Sequence, residues 1–255
     1  MSFHHLDQYA RIESPITSTP PVVRLLGTAV VAVGAAALPL GAWGHMAVLA
    51  VLVGLIALMA RVPVRVMLVR VSGPLAFVVL ASTAVLFLVP GQPVLHAGPV
   101  VVTDAGLVRF GSAVGRAVVA LGAAVILVST TGFPDLVSAF RNLRLPRAVT
   151  TSLSLAYRLL YTLVDEIERI ERAARSRNVG AGARRRRQLA VGVAVTALTR
   201  SLARGERTYR AMLARGYHGE MPSLNARRVD ATSLIGLGLL TVTVLATTIS
   251  AYLIR

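Results

Sequence analysis

The sequence of 255 residues contains no cysteine and no lysine. Without cysteine the chain has no disulfide framework, no thiolate nucleophile and no thiolate metal site. Without lysine it cannot contain a phosphate-binding loop of the GxxxxGK[ST] type, which requires that residue. The five histidines are scattered and none stands in an HExxH pattern, although the pair His4-His5 could ligate a transition metal. We therefore predict no catalytic residue, no metal site and no cofactor in this chain.

Apolar residues, by contrast, are abundant. They make up 55% of the chain, and its mean hydropathy is +0.69. Long uncharged runs would be exposed to water in a soluble protein, but they fit the hydrocarbon core of a membrane. The sequence therefore predicts an all-α, polytopic membrane protein with about five transmembrane helices. The predicted spans are residues 22–38, 45–60, 74–89, 107–130 and Ala231–Ile254.

The first long apolar run, Leu25–Ala60, is interrupted by Pro39 and two nearby glycines. An uninterrupted helix of that length would be too long for one crossing of about 30 Å, so we predict a tight hairpin between two short spans. The small residues of GTAVVAVG, 27–34, are interpreted as helix-packing positions.

Arginines near the later spans indicate where the chain meets the membrane surface. The segment 61–70 is basic and amphipathic and is expected at the cytoplasmic interface. The loop 90–104 contains no arginine and is expected to face outward. Arg116 lies inside the fourth predicted span, where a charge is costly. We favour Gly106–Arg116 at the outer interface with the span starting near Ala117; a functional buried arginine is the alternative.

One third of the chain holds most of the charge. Residues 141–228 contain 19 arginines and six acidic residues, which accounts for +13 of the net +16. A nucleic-acid binder would also be basic, but apolar segments bracket this block, so the positive-inside rule explains it better. We predict a membrane domain over 1–131, a cytoplasmic or interfacial region over 132–228, and a C-terminal transmembrane helix over 229–255. The N-terminus is then inside and the C-terminus outside.

The basic region contains three predicted amphipathic helices: a short one within 133–146, then Ala148–Arg177, then Leu189–Gly219 after a glycine-rich basic loop at 180–187. Apolar residues recur at helical spacing on both long helices. They are Leu153, Ala156, Leu160, Leu163, Ile167 and Ile170 on the first, and Val191, Val195, Leu198, Leu202, Tyr209 and Leu213 on the second. The first long helix also contains four acidic residues, Asp165, Glu166, Glu168 and Glu171. They could be proton-coupling carboxylates, but we favour a solvated helix face on which they pair with residues four positions away.

The two long helices have similar endings, Ser176-Arg177-Asn178 and Ala214-Arg215-Gly216. A small residue before the arginine and a helix-terminating residue after it leave the guanidinium projecting from a helix end. Such a group can make bidentate contacts with carboxylates of another protein. The alternative is an ordinary pair of arginines favoured by the helix dipole. The residues alone support both equally.

Three segments carry a resemblance to a known family. They are HLDQYARIESPIT (5–17), TTGFPDLVSAFRNLRLP (130–146) and AMLARGYHGEMP (211–222). In these the chain resembles the T component, the transmembrane coupling subunit, of energy-coupling-factor (ECF) transporters, and in particular the cobalt-type branch called CbiQ. The resemblance extends over nearly the whole chain, and the last segment is the most specific.

The resemblance implies that Arg177 and Arg215 dock cytoplasmic coupling helices into paired ABC-type ATPase subunits, which bind the ATP. Cobalt or nickel would be held by a separate substrate-binding membrane subunit, and the chain would lie in a bacterial cell membrane among lipids. Ser176 and Asn178 replace the family's Ala and Gly, so Arg175 is an alternative for the first site. Two rival hypotheses are a T component serving a vitamin-type substrate subunit, and a basic membrane scaffold that binds anionic lipid or an acidic partner without any ATPase.

Overall fold

The computed structural model describes residues 14, 16–97, 100–177, 183–219 and 230–253. Within these ranges the chain forms eight helices and one β-hairpin. The helices are α1 (Pro21–Ala37), α2 (Trp43–Met59), α3 (Val64–Leu88), α4 (Asp104–Thr130), α5 (Phe133–Asn142), α6 (Arg147–Arg177), α7 (Ala183–Ala214) and α8 (Ala231–Leu253); the strands are β1 (Pro93–Ala97) and β2 (Val100–Thr103).

Helices α3, α4 and α8 are long and apolar enough to cross a membrane. Helices α1 and α2 are apolar but only 17 residues each, which corresponds to about 26 Å. The prediction of an all-α, polytopic membrane protein is therefore confirmed. Helix α1 begins at Pro21. Proline is favourable there because the backbone N–H that it lacks would have no partner within the helix at this position.

Helix α3 differs from its prediction. The basic segment 61–70 and the span from 74 were expected as separate pieces, but one helix runs from Val64 to Leu88 with Pro74 inside it. Proline removes one backbone hydrogen bond, yet membrane helices tolerate it when neighbours satisfy the freed groups. At about 38 Å the helix exceeds the hydrocarbon thickness, so its basic first turns can reach the interface.

The predicted outer loop at 90–104 contains a short antiparallel hairpin formed by β1 and β2. Both ends of the hairpin are held to the helices beside it. The Asp104 amide donates to the Gln92 carbonyl at 3.1 Å, and the Thr103 hydroxyl donates to the Val89 carbonyl at 2.8 Å. Thr103 also caps α4 by accepting from the Gly106 amide. The hairpin therefore connects α3 directly to the first turn of α4.

The membrane helices share one apolar core. Its buried members come from α1, α2, α4 and α8, among them Val31, Leu49, Val53, Ile126 and Val244. Glycines allow close approach at these contacts. A Cβ at Gly34 would lie 2.2 Å from Cγ1 of Val244, so α1 and α8 are in contact through that glycine. The interpretation of 27–34 as helix packing is confirmed at this position.

Arg116 lies in the middle of continuous helix α4 and is half-buried. Its Nη2 donates to the carbonyl of Leu38, at the C-terminal end of α1, at 2.5 Å. Two further side chains bond the same turn: the Tyr252 hydroxyl donates to the Ala37 carbonyl at 2.9 Å, and the Gly41 amide donates to Ser112 Oγ at 3.0 Å. Irregular backbone in a membrane protein requires such partners. The position of the membrane boundary along α4 stays a prediction.

The chain divides into two compact units, one comprising Met1–Leu136 with Arg227–Arg255 and the other comprising Val137–Ala226. The first contains α1 to α4, the hairpin and α8. The second contains most of α5 together with α6 and α7, which contact each other.

Candidate functional site

The candidate site is built on the two longest helices, α6 of 31 residues and α7 of 32 residues. Helix α7 begins at Ala183, six residues before its predicted start at Leu189. The basic loop predicted over 180–187 is therefore wrong from residue 183 onward. Arginine is a good helix former, and no glycine or proline interrupts 183–188, so the helix extends through the arginine run.

Glu166 on α6 and Arg200 on α7 form an ion pair that joins the two helices. The Glu166 side chain is only 12% exposed, and its second oxygen lies 3.6 Å from Nη1 of Arg169. The prediction of a solvated face is therefore wrong for Glu166, because a neighbouring helix covers it. It holds for Glu168, which pairs with Arg172 four residues on at 3.3 Å.

The hydrogen bond from Arg200 lowers the pKa of the Glu166 carboxyl below its ordinary value of 4.5. The positive charges of Arg200, Arg169 and Arg204 act in the same direction, whereas burial of the carboxyl opposes them. Glu166 is therefore ionised at neutral pH, and the ion pair between the helices is present there.

Beside this ion pair, a cavity of about 520 Å³ lies between the two helices. Leu159, Leu163 and Glu166 line it from α6, and Ala197 and Ser201 line it from α7. Ala197 is 2% exposed, so a small residue allows the close contact here. The helices are thus joined at one contact region in the middle of each.

Of the apolar stripe predicted on α7, only Leu202 lines the cavity between the two helices. All six residues are exposed in the single chain, namely Val191, Val195, Leu198, Leu202, Tyr209 and Leu213. A contiguous exposed apolar face of this kind indicates contact with lipid or with another protein. The helix therefore presents a polar face with Ala197 to α6 and leaves its apolar face for other contacts.

The second predicted arginine motif lies at a well-defined helix end. Helix α7 ends at Ala214, and Gly216 adopts a left-handed conformation with φ of +81°. The Tyr217 amide donates to the Met212 carbonyl and the Gly216 amide to the Leu213 carbonyl, both at 3.0 Å. This is a Schellman motif, in which glycine is favoured because it has no Cβ. The predicted helix stop at Gly216 is present.

Arg215 stands between the last helical residue and this turn. Its side chain is exposed, and its guanidinium forms no hydrogen bond or ion pair with the described residues. Ala214 and Gly216 on either side are exposed as well. The guanidinium is therefore accessible to a partner, although its docking role stays a prediction.

The first motif is described only in part. Ser176 is exposed, and its hydroxyl donates to the Ala173 carbonyl one turn earlier at 3.0 Å. Arg177 is the last residue of α6, and Asn178 lies outside the described residues. The choice between Arg177 and Arg175 stays open.

Both arginine motifs lie far from the contact between the helices. Arg177 is 11 residues beyond Glu166, and Arg215 is 15 residues beyond Arg200, which corresponds to about 16 Å and 22 Å of helix. The structure thus has two helical arms joined at an ion pair, with an arginine motif near the C-terminal end of each arm.

Sequence reasoning missed a cluster at the end of α4. Arg24 of α1 is 8% exposed; its Nη1 donates to the Thr130 carbonyl and to Thr131 Oγ1. Arg70 of α3 donates to Ser129 Oγ at 3.0 Å. Two guanidinium groups therefore bind the C-terminal end of α4, which also favours them through its dipole. The run Ser-Thr-Thr directly after an apolar span is the signal that could have indicated it.

Among the described residues no group of three histidine or acidic side chains could hold a metal ion. His4 and His5 lie outside the described residues, as does most of the first resembling segment, 5–17. Helices α6 and α7 thus present exposed arginine and exposed apolar residues that remain available for contact with lipid or another protein.

The chain matches the family described as cobalt transport protein CbiQ over residues 13–224. The chain belongs to the CbiQ family. This match covers the membrane helices α1 to α4, both long helices and the arginine motif at Arg215. It confirms the resemblance stated above, and with the apolar helices it makes the chain a membrane-embedded member of a transport family.

Three relatives of this CbiQ-family chain show how the similarity is distributed. A cobalt transport protein CbiQ from Salmonella typhimurium is 30% identical over 107 residues, 39% of this chain and 48% of that protein. The energy-coupling factor transporter transmembrane protein EcfT from Heliobacterium modesticaldum is 27% identical over 227 residues, 84% of each chain. A cobalt transport protein CbiQ from Rhodobacter capsulatus is 29% identical over 178 residues, 70% of each chain.

Proposed function

We propose that this chain is the transmembrane coupling subunit, or T component, of an ATP-driven ECF importer that takes up cobalt or nickel. The observation that supports this most directly is the exposed Arg215 at a rigid helix end, on a helix joined to α6 through Glu166 and Arg200. The names of the Salmonella and Rhodobacter relatives support the cobalt assignment. The name of the Heliobacterium relative supports the ECF assignment.

In the proposed mechanism the chain transmits movement and does no chemistry. ABC-type ATPase subunits bind and hydrolyse ATP, and they hold Arg177 and Arg215 in acidic sites. Because guanidinium groups bind carboxylates bidentately, the contact has a defined geometry and can transmit a displacement. The ion pair between Glu166 and Arg200 makes α6 and α7 move together. The membrane helices then reorient a separate substrate-binding membrane subunit, which holds the metal ion.

This proposal places the basic region 141–228 in the cytoplasm and the chain in a bacterial plasma membrane, in contact with lipids. The excess of arginine in that region supports the orientation through the positive-inside rule. The chain needs no cofactor of its own, since ATP and the metal ion are bound by its partners.

The test is charge reversal at Arg215, with Arg207 as the matched control. Both arginines are exposed near the end of α7, but only Arg215 stands at the helix stop. Arg215→Glu should weaken ATPase binding by roughly 30-fold or more, since losing a buried, hydrogen-bonded charge pair costs about 2–5 kcal/mol. Arg207→Glu should retain the ATPases. Co-purification from native membranes in mild detergent and uptake of radioactive cobalt measure both effects.

Two other outcomes would replace the proposal. Recovery of the ATPases with a vitamin-binding membrane subunit would keep the coupling mechanism and overturn the metal substrate. If both charge reversals behave like the wild type and no ATPase co-purifies, the chain is a basic membrane scaffold instead.

A further inference from the structure

A basic cavity lies where α5 turns into α6. Its volume is about 570 Å³, and three arginines at a spacing of three residues line it together with two threonines. They are Arg141, Arg144, Arg147, Thr150 and Thr151. No acidic residue lines this cavity. It is distinct from the arginine motifs at the C-terminal ends of α6 and α7, and the proposed coupling role does not use it.

The backbone turn brings the three arginines together. Helix α5 ends in a Schellman motif: the Leu145 amide donates to the Phe140 carbonyl at 3.2 Å and the Arg144 amide to the Arg141 carbonyl at 3.0 Å. Arg144 has φ of +60°, a left-handed conformation that disfavours residues other than glycine, asparagine and aspartate. A glycine would relieve this strain, yet an arginine stands there.

The cavity has the groups that a phosphate requires. The guanidinium of Arg144 is exposed and forms no hydrogen bond or ion pair with the described residues. Thr150 and Thr151 are 1% and 4% exposed; the hydroxyl of Thr151 makes no hydrogen bond within the described ranges. The N-terminal end of the 31-residue helix α6 adds the positive end of its dipole. Guanidinium groups bind phosphate oxygens bidentately.

The cavity follows closely after membrane helix α4 along the chain. Helix α5 begins three residues after α4 ends at Thr130 and is ten residues long, about 15 Å. Basic pockets on the cytoplasmic side of a membrane protein are suited to anionic lipid headgroups. A phosphodiester there would leave its acyl chains in the bilayer and its charge in the cavity.

We propose that this cavity binds the phosphate of an anionic phospholipid, with Arg144 as its principal ligand and Arg141 and Arg147 beside it. The source of the phosphate rests on the cytoplasmic orientation proposed above, but the binding does not require an ATPase or a substrate subunit. The lipid would anchor the start of α6 to the membrane surface.

The test compares Arg144→Gly with Arg61→Gly in the purified full-length chain. Arg61 is a matched control: it also has a left-handed φ, +53°, and it also ends a helix in a Schellman motif. Glycine suits both turns, so both variants should fold, which thermal unfolding checks. The chain is placed in nanodiscs of phosphatidylcholine with phosphatidylglycerol, extracted, and examined for retained lipid by native mass spectrometry.

The wild type and Arg61→Gly should retain phosphatidylglycerol in preference to phosphatidylcholine. Arg144→Gly should lower the affinity for phosphatidylglycerol roughly fivefold, the effect of one arginine near a charged membrane surface. Equal loss in both variants, or no preference in the wild type, would show bulk charge and overturn the site. Displacement of the lipid by inorganic phosphate at matched concentration would indicate a free-anion site instead. If Arg144→Gly keeps its lipid but loses the ATPases, the cavity binds an acidic protein surface.

The lipid measurement and the ATPase measurement can fail independently, so a failure of the proposed function can be told apart from a failure of the lipid site. The lipid measurement uses the isolated chain, so a scaffold without an ATPase could still show the Arg144 effect. Conversely, Arg215→Glu is expected to lose the ATPases while retaining phosphatidylglycerol like the wild type.

Discussion

Arginine has two roles in this chain at the scale of single residues. Some guanidinium groups are directed into the protein and bind backbone ends, as Arg24 binds Thr130 and Arg116 binds Leu38. Others, such as Arg215, are exposed at the surface. An arginine within a membrane domain is costly unless it snorkels or is paired, and helix-end carbonyls are suitable partners because they carry partial negative charge. The internal arginines therefore stabilise the turns between helices.

The first prediction concerns Arg116. Replacing it by methionine preserves volume but leaves the Leu38 carbonyl without its charged donor. We expect destabilisation by about 1–3 kcal/mol, which for a chain of this size lowers the unfolding temperature by about 2–4 °C per kcal/mol. The control is Arg109→Met on the same helix, where the arginine is exposed. If both variants unfold at the same temperature in detergent, water already satisfies that carbonyl and the bond is dispensable.

At the scale of elements, the pair α6 and α7 combines one ion pair with apolar contact from residues such as Leu159 and Leu163. The face that joins them contains Glu166, Arg200 and Ala197, while the apolar stripe of α7 is exposed. An ion pair partly shielded from water fixes the geometry of two helices more selectively than apolar contact does, since its charges must be adjacent. The proposed coupling requires the two helices to move as one unit, while the exposed apolar residues of α7 remain available to lipid or a partner.

The second prediction concerns pH. Because Arg200 lowers the pKa of Glu166 below 4.5, the carboxyl stays ionised from neutral pH down to that value. The stabilisation from the ion pair is present above the unfolded pKa and is lost as the pH falls through the lower, folded pKa. The α6–α7 distance should therefore be constant between neutral pH and the ordinary glutamate pKa of 4.5, and change only at lower pH. In Glu166→Gln it should already be altered at pH 7.

The α6–α7 distance can be measured with spin labels attached to introduced cysteines, because the chain has no cysteine of its own. Ala173→Cys and Ala194→Cys introduce two label sites on exposed positions, one on each helix. Spin-label distances in the wild-type background and in Glu166→Gln then report the arm geometry. Glu168→Gln, which breaks only the pair with Arg172 on the same helix, is the control. An unchanged distance in Glu166→Gln would mean that the apolar contact around Ala197 suffices.

At the scale of the whole molecule, charge and apolar surface are segregated along the chain. The helices α3, α4 and α8 expose apolar residues such as Phe77, Leu80 and Leu239, as expected for lipid-facing surface. The arginines are concentrated in 141–228. By the positive-inside rule, this distribution predicts that the basic region faces the cytoplasm.

The third prediction tests that orientation. A single cysteine is introduced at an exposed position, either Gln92 before the β-hairpin or Arg204 on α7. A membrane-impermeant maleimide should label Gln92→Cys in intact cells and should label Arg204→Cys only after the membrane is opened. Labelling of both in intact cells would place the basic region outside and contradict the coupling proposal. The cysteine-free parent chain supplies the background.

Local features of the sequence determined most of the elements. The predicted spans 22–38 and 45–60 match α1 and α2 within two residues at each end, because apolar runs, prolines and glycines act within one helix. The stop at Gly216 was predictable for the same reason. The starts of α3 and α7 were not, because Pro74 suggested a break that α3 does not make and the basic segment 180–187 suggested a loop that is helical from residue 183 onward.

The sequence by itself therefore determined a helical membrane protein with one basic region and a helix stop beside Arg215. Only the tertiary structure decided which groups meet: the Arg116 guanidinium with the Leu38 carbonyl, Glu166 with Arg200, and Arg141, Arg144 and Arg147 at one cavity. Periodicity assigns a residue to a face of its own helix but does not specify the neighbouring helix. The first two of these contacts join residues 78 and 34 positions apart, so they depend on how whole helices pack.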